Sequence, residues 1–207
     1  MHSITQKLKY PRTPHLPDSA GVTEDDIIID TSSVFQNIDV VVTEKMDGEN
    51  TTLAKDYYHA RSLDTSDHPS RSWIKNYWAS IRYDIPDGFR ICGENLYARH
   101  SIPYTNLPSF FLGFSLWEGP ICLSWDETLQ YFHLLDVEPV PVLWKGPGKN
   151  IPKIIIDEKT SEGYVIRNSD RFHYTNFAQN VAKYVRKNHV QTDEHWLSKP
   201  VIPNELR

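Results

Sequence analysis

The sequence is poor in the features that several functional classes require. Of 207 residues only two are cysteine and two methionine. Cys92 and Cys122 are too few for a disulfide framework, and neither belongs to a closely spaced Cys/His pair of the kind that holds zinc. Two reduced, buried thiols are the expectation. No apolar run approaches the roughly 18 residues of a membrane-spanning helix, and the first residues lack the apolar stretch of a secretory signal. A soluble, cytoplasmic protein with no membrane partner follows. Cations are also scarce: 22 Lys and Arg face 27 Asp and Glu, a net charge of -5. Domains that hold nucleic acid by bulk electrostatics are usually basic, so any such contact must use a local basic surface. Internal repeats, heptads and low-complexity tracts are missing too.

What is present is enough apolar material, 39% of the chain, for one sizeable core. A single domain over 1–207 is expected. Residues 1–23, with three prolines between Tyr10 and Pro17, read as an extended arm. The acidic cluster Glu24, Asp25 and Asp26 reads as a solvated edge before a strand at Ile27-Ile28-Ile29. Asp39 to Lys45 is β-rich and is closed by the turn signal Asp47-Gly48, which puts Lys45 at a strand end. Trp73, Ile74, Tyr77, Trp78 and Ile81 recur at helical spacing over 73–82. Those rings form either a core stripe or, with Arg71, Lys75 and Arg82, a nucleic-acid surface.

Further strands are expected at Phe89–Cys92, Phe110–Trp117, Ile154–Ile156 and Tyr164–Arg167. Ser124 and Glu127 make a capping box for a helix that turns Leu129, Phe132 and Leu135 to the core. Pro139 to Pro152, with four prolines and two glycines, reads as a loop. Without a strict βαβ rhythm, the class is α+β, built on antiparallel sheets.

The informative element is Glu44-Lys45-Met46-Asp47-Gly48-Glu49-Asn50. A lysine can act as a nucleophile only as the neutral amine. With an ordinary pKa near 10.4, that form is rare at neutral pH unless desolvation or a nearby cation lowers the value. Carboxylates at Glu44, Asp47 and Glu49 oppose the change, and a bound metal ion would cancel them.

Lys45-Met46-Asp47-Gly48 resembles motif I of the covalent nucleotidyltransferases, the superfamily of ATP-dependent DNA ligases, RNA ligases and mRNA capping enzymes. Glu44 and Asn50 resemble the RNA ligase branch. Ala60-Arg61-Ser62 is similar to the motif whose arginine contacts the ribose. Gly93-Glu94-Asn95-Leu96-Tyr97 is similar to motif III, whose glutamate binds the ribose. Phe114 falls where family members stack an aromatic ring on adenine. Glu162-Gly163-Tyr164-Val165-Ile166-Arg167 resembles motif IV, whose glutamate assists the metal, and Val181 to Lys187 stands at motif V, whose basic residues hold the α-phosphate. Arg12 to Pro17 and Gln191 to Trp196 also look like segments of small bacterial and phage RNA ligases.

The resemblance implies a nucleotidyltransferase (adenylation) domain whose antiparallel sheets are flanked by helices and hold the nucleotide between them. It implies an ATP-dependent RNA ligase working through AMP on Lys45, with Lys183 and Arg186 on the phosphate. Glu44, Asn50, Arg61, Glu94, Phe114, Glu162 and Lys183 would bind nucleotide, and Glu162 and Glu94 would hold Mg²⁺ or Mn²⁺. The partner would be RNA, as a nicked duplex or an RNA/DNA hybrid, either bound by this domain itself or presented by an RNA end-healing protein, since only about 20 residues follow motif V where relatives carry an OB-fold or another C-terminal domain. The sequence departs from the family pattern at Val185, where a second lysine would fall, so Arg186 is the next basic candidate. Phe177, Val181, Tyr184 and Val185 also stand at helical spacing, which would make Lys183, Arg186 and Lys187 one solvated helix face. His15, His100 and His195 are read as structural. A DNA ligase, a guanylyltransferase, or an inert nucleic-acid-binding relative are the alternatives.

Overall fold

The computed structural model describes residues 7–23, 26–29, 34–63, 67–187 and 200–207. Ten strands form two sheets in which every ladder is antiparallel. The four-stranded sheet runs β10 (Val181–Val185), β8 (Gly163–Asn168), β1 (Asp39–Lys45), β7 (Val142–Pro147). The six-stranded sheet runs β3 (Tyr58–Ala60), β2 (Glu49–Ala54), β4 (Phe89–Asn95), β5 (Phe111–Glu118), β6 (Ile121–Cys122), β9 (Phe172–His173).

β1 belongs to one sheet and β2 to the other, so the Met46–Gly48 turn right after Lys45 is a hinge between sheets. That turn is tight. A Cβ on Gly48 would lie 2.5 Å from the Asn95 carbonyl oxygen, inside van der Waals contact, so glycine is required there.

The Val40-Val41-Val42 run of β1 is buried on both faces, Val41 facing the cluster of Met46, Leu96, Leu112 and Trp125, and Val40 and Val42 facing that of Tyr164, Ile166 and Ala182. Two helices cover the larger sheet. α1 (Ser72–Ile81) buries Ile74 and Ile81 against Leu53, Ile91 and Phe111. α2 (Trp125–Leu134) starts at the expected capping box: the Glu127 N–H donates to Ser124 Oγ at 3.3 Å and the Ser124 N–H to Glu127 Oε2 at 3.1 Å. Its Phe132 and the following Leu135 are buried, and Leu129 packs against the inter-sheet cluster.

Four expectations are corrected. Val142–Pro147 is a strand, not a loop, because it pairs with β1 at the sheet edge, where its prolines stand at the end of the strand and just before it. Ile154 to Ile156 is no strand: Ile154 and Ile156 lean on the Val40/Val42 cluster without a ladder. Ile27 to Ile29 is reduced to one bridge, Ile28 to His15, and leaves Ile27 and Ile28 half exposed. Residues 177–185 split into α3 (Phe177–Asn180) and β10, so the helical spacing ends before Lys183.

The arm lies beside β10. The Lys183 N–H donates to the Pro14 carbonyl at 2.9 Å and the Leu16 N–H to the Lys183 carbonyl at 2.8 Å. Both cysteines are buried, free thiols. His15 is buried against Ser19 (2.7 Å) and 3.4 Å from Asp26, which is held by Thr23 and Arg12 and so is more engaged than a solvated edge. Trp73, Tyr77 and Trp78 pack on the core, which resolves their reading as a core stripe. Glu24, Asp25, His195 and Gln191 to Trp196 lie outside the described residues.

Candidate active site

A cavity of about 1030 Å³ opens between the sheets, as large as the pockets that hold cofactors. The smaller sheet contributes Thr43, Lys45, Val165 and Lys183, the larger Asn50, Glu94, Phe114 and Ser115, and the arm Lys9 to Thr13.

β1 delivers Lys45. Its register pairs Lys45 with Gly163, which sets Glu162, the residue before β8, beside the amine. Lys45 Nζ donates to Glu162 Oε2 at 2.5 Å. The pair is little exposed, 24% for the lysine side chain and 8% for the glutamate. Gly163 permits this contact between strands: a Cβ there would meet the Tyr184 carbonyl oxygen at 2.0 Å.

Burial alone would lower the Lys45 pKa, but Glu162 and Glu94, the hydrogen bond from Glu162 and the more distant Asp47 together raise it above the ordinary lysine value. Burial pushes Glu94 up to about 8, Glu162 and Asp47 adding to the effect while Lys45 and the Gly48 N–H oppose it. Lys45 therefore rests as an ammonium ion. The group that holds it so is chiefly the Glu162 carboxylate, joined by Glu94 where that group is ionised, both distant in sequence. Of the neighbours singled out from sequence, Glu49 is engaged by buried Arg71, whose Nε donates to Glu49 Oε2 at 2.9 Å. Asp47 Oδ2 accepts from Ser101 N–H (2.8 Å), Ser101 Oγ (2.7 Å) and Ile102 N–H (2.9 Å). Glu44 is raised by burial, with a Ser161 hydrogen bond opposing, and lines the cavity.

Asn50, Arg61, Glu94, Phe114 and Lys183 all stand on the cavity wall. The Asn50 side-chain oxygen is buried without a hydrogen-bond partner, an arrangement that a bound ligand would complete. Arg61 is exposed, its backbone N–H on the Asn50 carbonyl at 3.0 Å. Lys183 has its pKa lowered, by burial first and by the nearby charges of Lys45 and Arg61, while Asp26 and Glu162 oppose. Tyr10 of the arm, which sequence reasoning missed, sets its ring edge-on to Phe114 at 5.1 Å. Only its place in the proline-rich arm hinted at order there.

Two expected residues lie elsewhere. Glu162 is not on the cavity wall but behind the Lys45 amine, 6% exposed. Arg186 does not line the cavity either. Side chains alternate along a strand, so Val185 shares the Lys183 face and Arg186 does not. Its guanidinium reaches Ser101 Oγ at 3.4 Å, and its N–H donates to the Glu162 carbonyl at 2.9 Å. His100 has its pKa lowered by burial, opposed by Asp47 and Glu49. Among the described residues no helix is long and apolar enough to cross a membrane, and no group of three or more His, Cys, Asp and Glu could cage a metal ion.

The architecture has solved counterparts. An archaeal ATP-dependent RNA ligase matches with a TM-score of 0.58 at 17% identity, over 86% of this chain and 48% of its own. The Naegleria gruberi RNA ligase, solved with pyrophosphate, matches with 0.55 at 15% identity, over 92% and 62%. An Aquifex aeolicus protein described as an ATP-dependent DNA ligase matches with 0.55 at 19% identity, over 86% and 50%. This chain thus spans about half the length of the ligases it matches and shares the fold of their nucleotidyltransferase domains. No curated protein sequence matches. The family model for RNA ligases matches residues 38–185, which run from the residue before β1 to the last residue of β10 and so include every strand of both sheets. By that match, the chain belongs to the RNA ligase family.

Proposed function

We propose that this chain joins RNA 3′-OH and 5′-phosphate ends at the expense of ATP, with Lys45 carrying AMP between substrates. The observation that carries the reading is the Lys45 amine on the wall of a 1030 Å³ cavity, hydrogen-bonded to Glu162, with Glu94, Arg61, Asn50, Phe114 and Lys183 around the same space.

The Lys45 ammonium first gives a proton to solvent, and the neutral amine attacks the α-phosphorus of ATP. An N–P bond forms as the bond from that phosphorus to the pyrophosphate oxygen breaks, and the nitrogen sheds a proton. An oxygen of an RNA 5′-phosphate then takes the AMP, the P–N bond breaks, and the lysine leaves protonated. Last, a 3′-OH attacks the activated 5′-phosphorus and AMP departs as the phosphodiester forms.

Such transfers depend on in-line positioning and charge neutralisation. Phe114 packs against the adenine, Arg61 and Glu94 hold the ribose, and Lys183 bears on the α-phosphate. Asn50 Oδ1 accepts from a ligand hydroxyl, and Glu44, on the same cavity wall, contributes to nucleotide binding. Of the two carboxylates expected to hold a Mg²⁺ or Mn²⁺ ion, Glu94 lines the cavity while Glu162 is taken up by the Lys45 amine, so the ion would rest on Glu94 with water and substrate phosphates and would supply neutralising charge there. A variant of the Naegleria ligase, matching with a TM-score of 0.51 at 13% identity, was solved with ATP and manganese. The net charge of -5 leaves RNA to the local cations Lys9, Arg12 and Arg61, or to an RNA end-healing partner that presents the ends.

The test is incubation with α-labelled ATP and Mg²⁺, with Lys45→Ala alongside, followed by denaturing electrophoresis and then by sealing of nicked duplexes with RNA or DNA 3′-OH strands. Covalent label on wild type alone, and sealing of RNA, are expected. Label from GTP would indicate a guanylyltransferase, DNA-only sealing a DNA ligase, and no label on ATP-free protein an inert binder.

A further inference from the structure

The lysine turn is braced from an unexpected quarter. Residues 96–107 follow β4 with no regular secondary structure, yet the segment carries Ser101 and Ile102, which hold Asp47 Oδ2, and Tyr104, whose hydroxyl accepts the Asp47 N–H at 3.0 Å. An irregular segment cannot position anything unless it is itself fixed. It is fixed by residues 202–207. The Arg99 N–H donates to the Ile202 carbonyl (2.8 Å), the Asn204 N–H to the Tyr97 carbonyl (2.9 Å) and the Leu107 N–H to the Glu205 carbonyl (3.0 Å).

Asn204 is the centre of this contact. It is 3% exposed. Its Oδ1 accepts the Tyr104 N–H at 2.9 Å, and its Nδ2 donates to the Leu96 carbonyl at 2.8 Å, two residues beyond Glu94. One amide thus ties the end of the Glu94 strand to the residue that holds the Asp47 backbone, two positions from Lys45. Hydrogen bonds run unbroken from Asn204 through Tyr104 to Asp47.

We propose that Asn204 and Tyr104 are positioning residues for the Lys45 nucleophile, so that the 202–207 segment sets the geometry of adenylation without touching nucleotide. The inference rests on the ligase reading above. A misplacement of about 1 Å costs an oriented reaction on the order of 10²-fold, while ATP binding, to whose cavity neither Asn204 nor Tyr104 contributes a lining side chain, should be changed less.

The test compares Tyr104→Phe, which removes one hydroxyl and keeps the ring, and Asn204→Ala with Ile85→Ala, a core substitution remote from the brace that controls for lost stability. Each is assayed in single-turnover adenylation well below its Tm, normalised to folded protein. The expected result is a rate at saturating ATP that is about 10-fold to 100-fold lower in the two brace variants, with KM for ATP changed less than about threefold and Ile85→Ala near wild type. Wild-type rates in both brace variants, or a loss confined to KM, would overturn the brace and leave the ligase reading intact. Failure of the wild type itself to form an adenylate would overturn that reading, and the brace with it.

Discussion

Glu162→Gln should loosen the hold on Lys45 and make its amine measurably more nucleophilic in the free protein. The wild-type pair is short, 2.5 Å, and largely shielded from water. Hydrogen bonds to charged groups contribute about 1.5–3 kcal/mol, and about 1.4 kcal/mol corresponds to one pKa unit. Replacing the carboxylate by a neutral amide should therefore lower the Lys45 pKa, while Glu94 and Asp47 still raise it. The neutral amine at a given pH would rise roughly 10-fold to 100-fold. Competitive acetylation with acetic anhydride between about pH 8 and pH 11, read on the Lys45 peptide against exposed Lys149 in the same digest, gives that pKa directly. An unchanged or higher midpoint in the variant would refute the claim that this ion pair keeps the Lys45 amine protonated.

Glu94 makes a prediction about stability. Its folded-state pKa of about 8 lies above the ordinary 4.5, so the folded chain retains a proton that the unfolded chain gives up. The stability this contributes is complete below about pH 4.5 and is lost as pH rises through about 8. Glu94→Gln, which keeps a neutral group at all pH values, should gain on the wild type by a few kcal/mol between about pH 5 and pH 9. Urea midpoints at both ends check this, and an equal gap at both would dismiss it. Ser124→Ala removes the capping box of α2 and should cost about 1 kcal/mol, seen as a Tm lower by roughly 2–4 °C; an unchanged Tm would mean that the bond Arg171 donates to Glu127 alone holds that helix end.

Sequence by itself determined the local elements. Asp39 to Lys45 read as a strand, the Ser124/Glu127 pair as a helix start, and the apolar spacing of 73–82 as a helix, whose packing on the core the structure then decided. Motif order was enough to mark Lys45, Glu94, Phe114 and Lys183 as candidates, all four of which line the cavity. Tertiary structure alone decided which charges meet. Glu44, Asp47 and Glu49 adjoin Lys45 in the chain. Yet the register of β1 against β8 selected Glu162 as its partner, Arg71 took up Glu49, and the 101–104 segment took up Asp47. Strand pairing also made an edge strand of Val142–Pro147 against its proline content, left Ile154 to Ile156 without a ladder, and turned Arg186 away from the cavity to Ser101. Periodicity and propensity report how each residue meets its own neighbours along the chain. Register and the meeting of two sheets are properties of segments apart in the chain, |i−j| being 22 for the Arg71 and Glu49 contact, 54 for Ser101 and Asp47 and 117 for Lys45 and Glu162, and no local pattern encodes them.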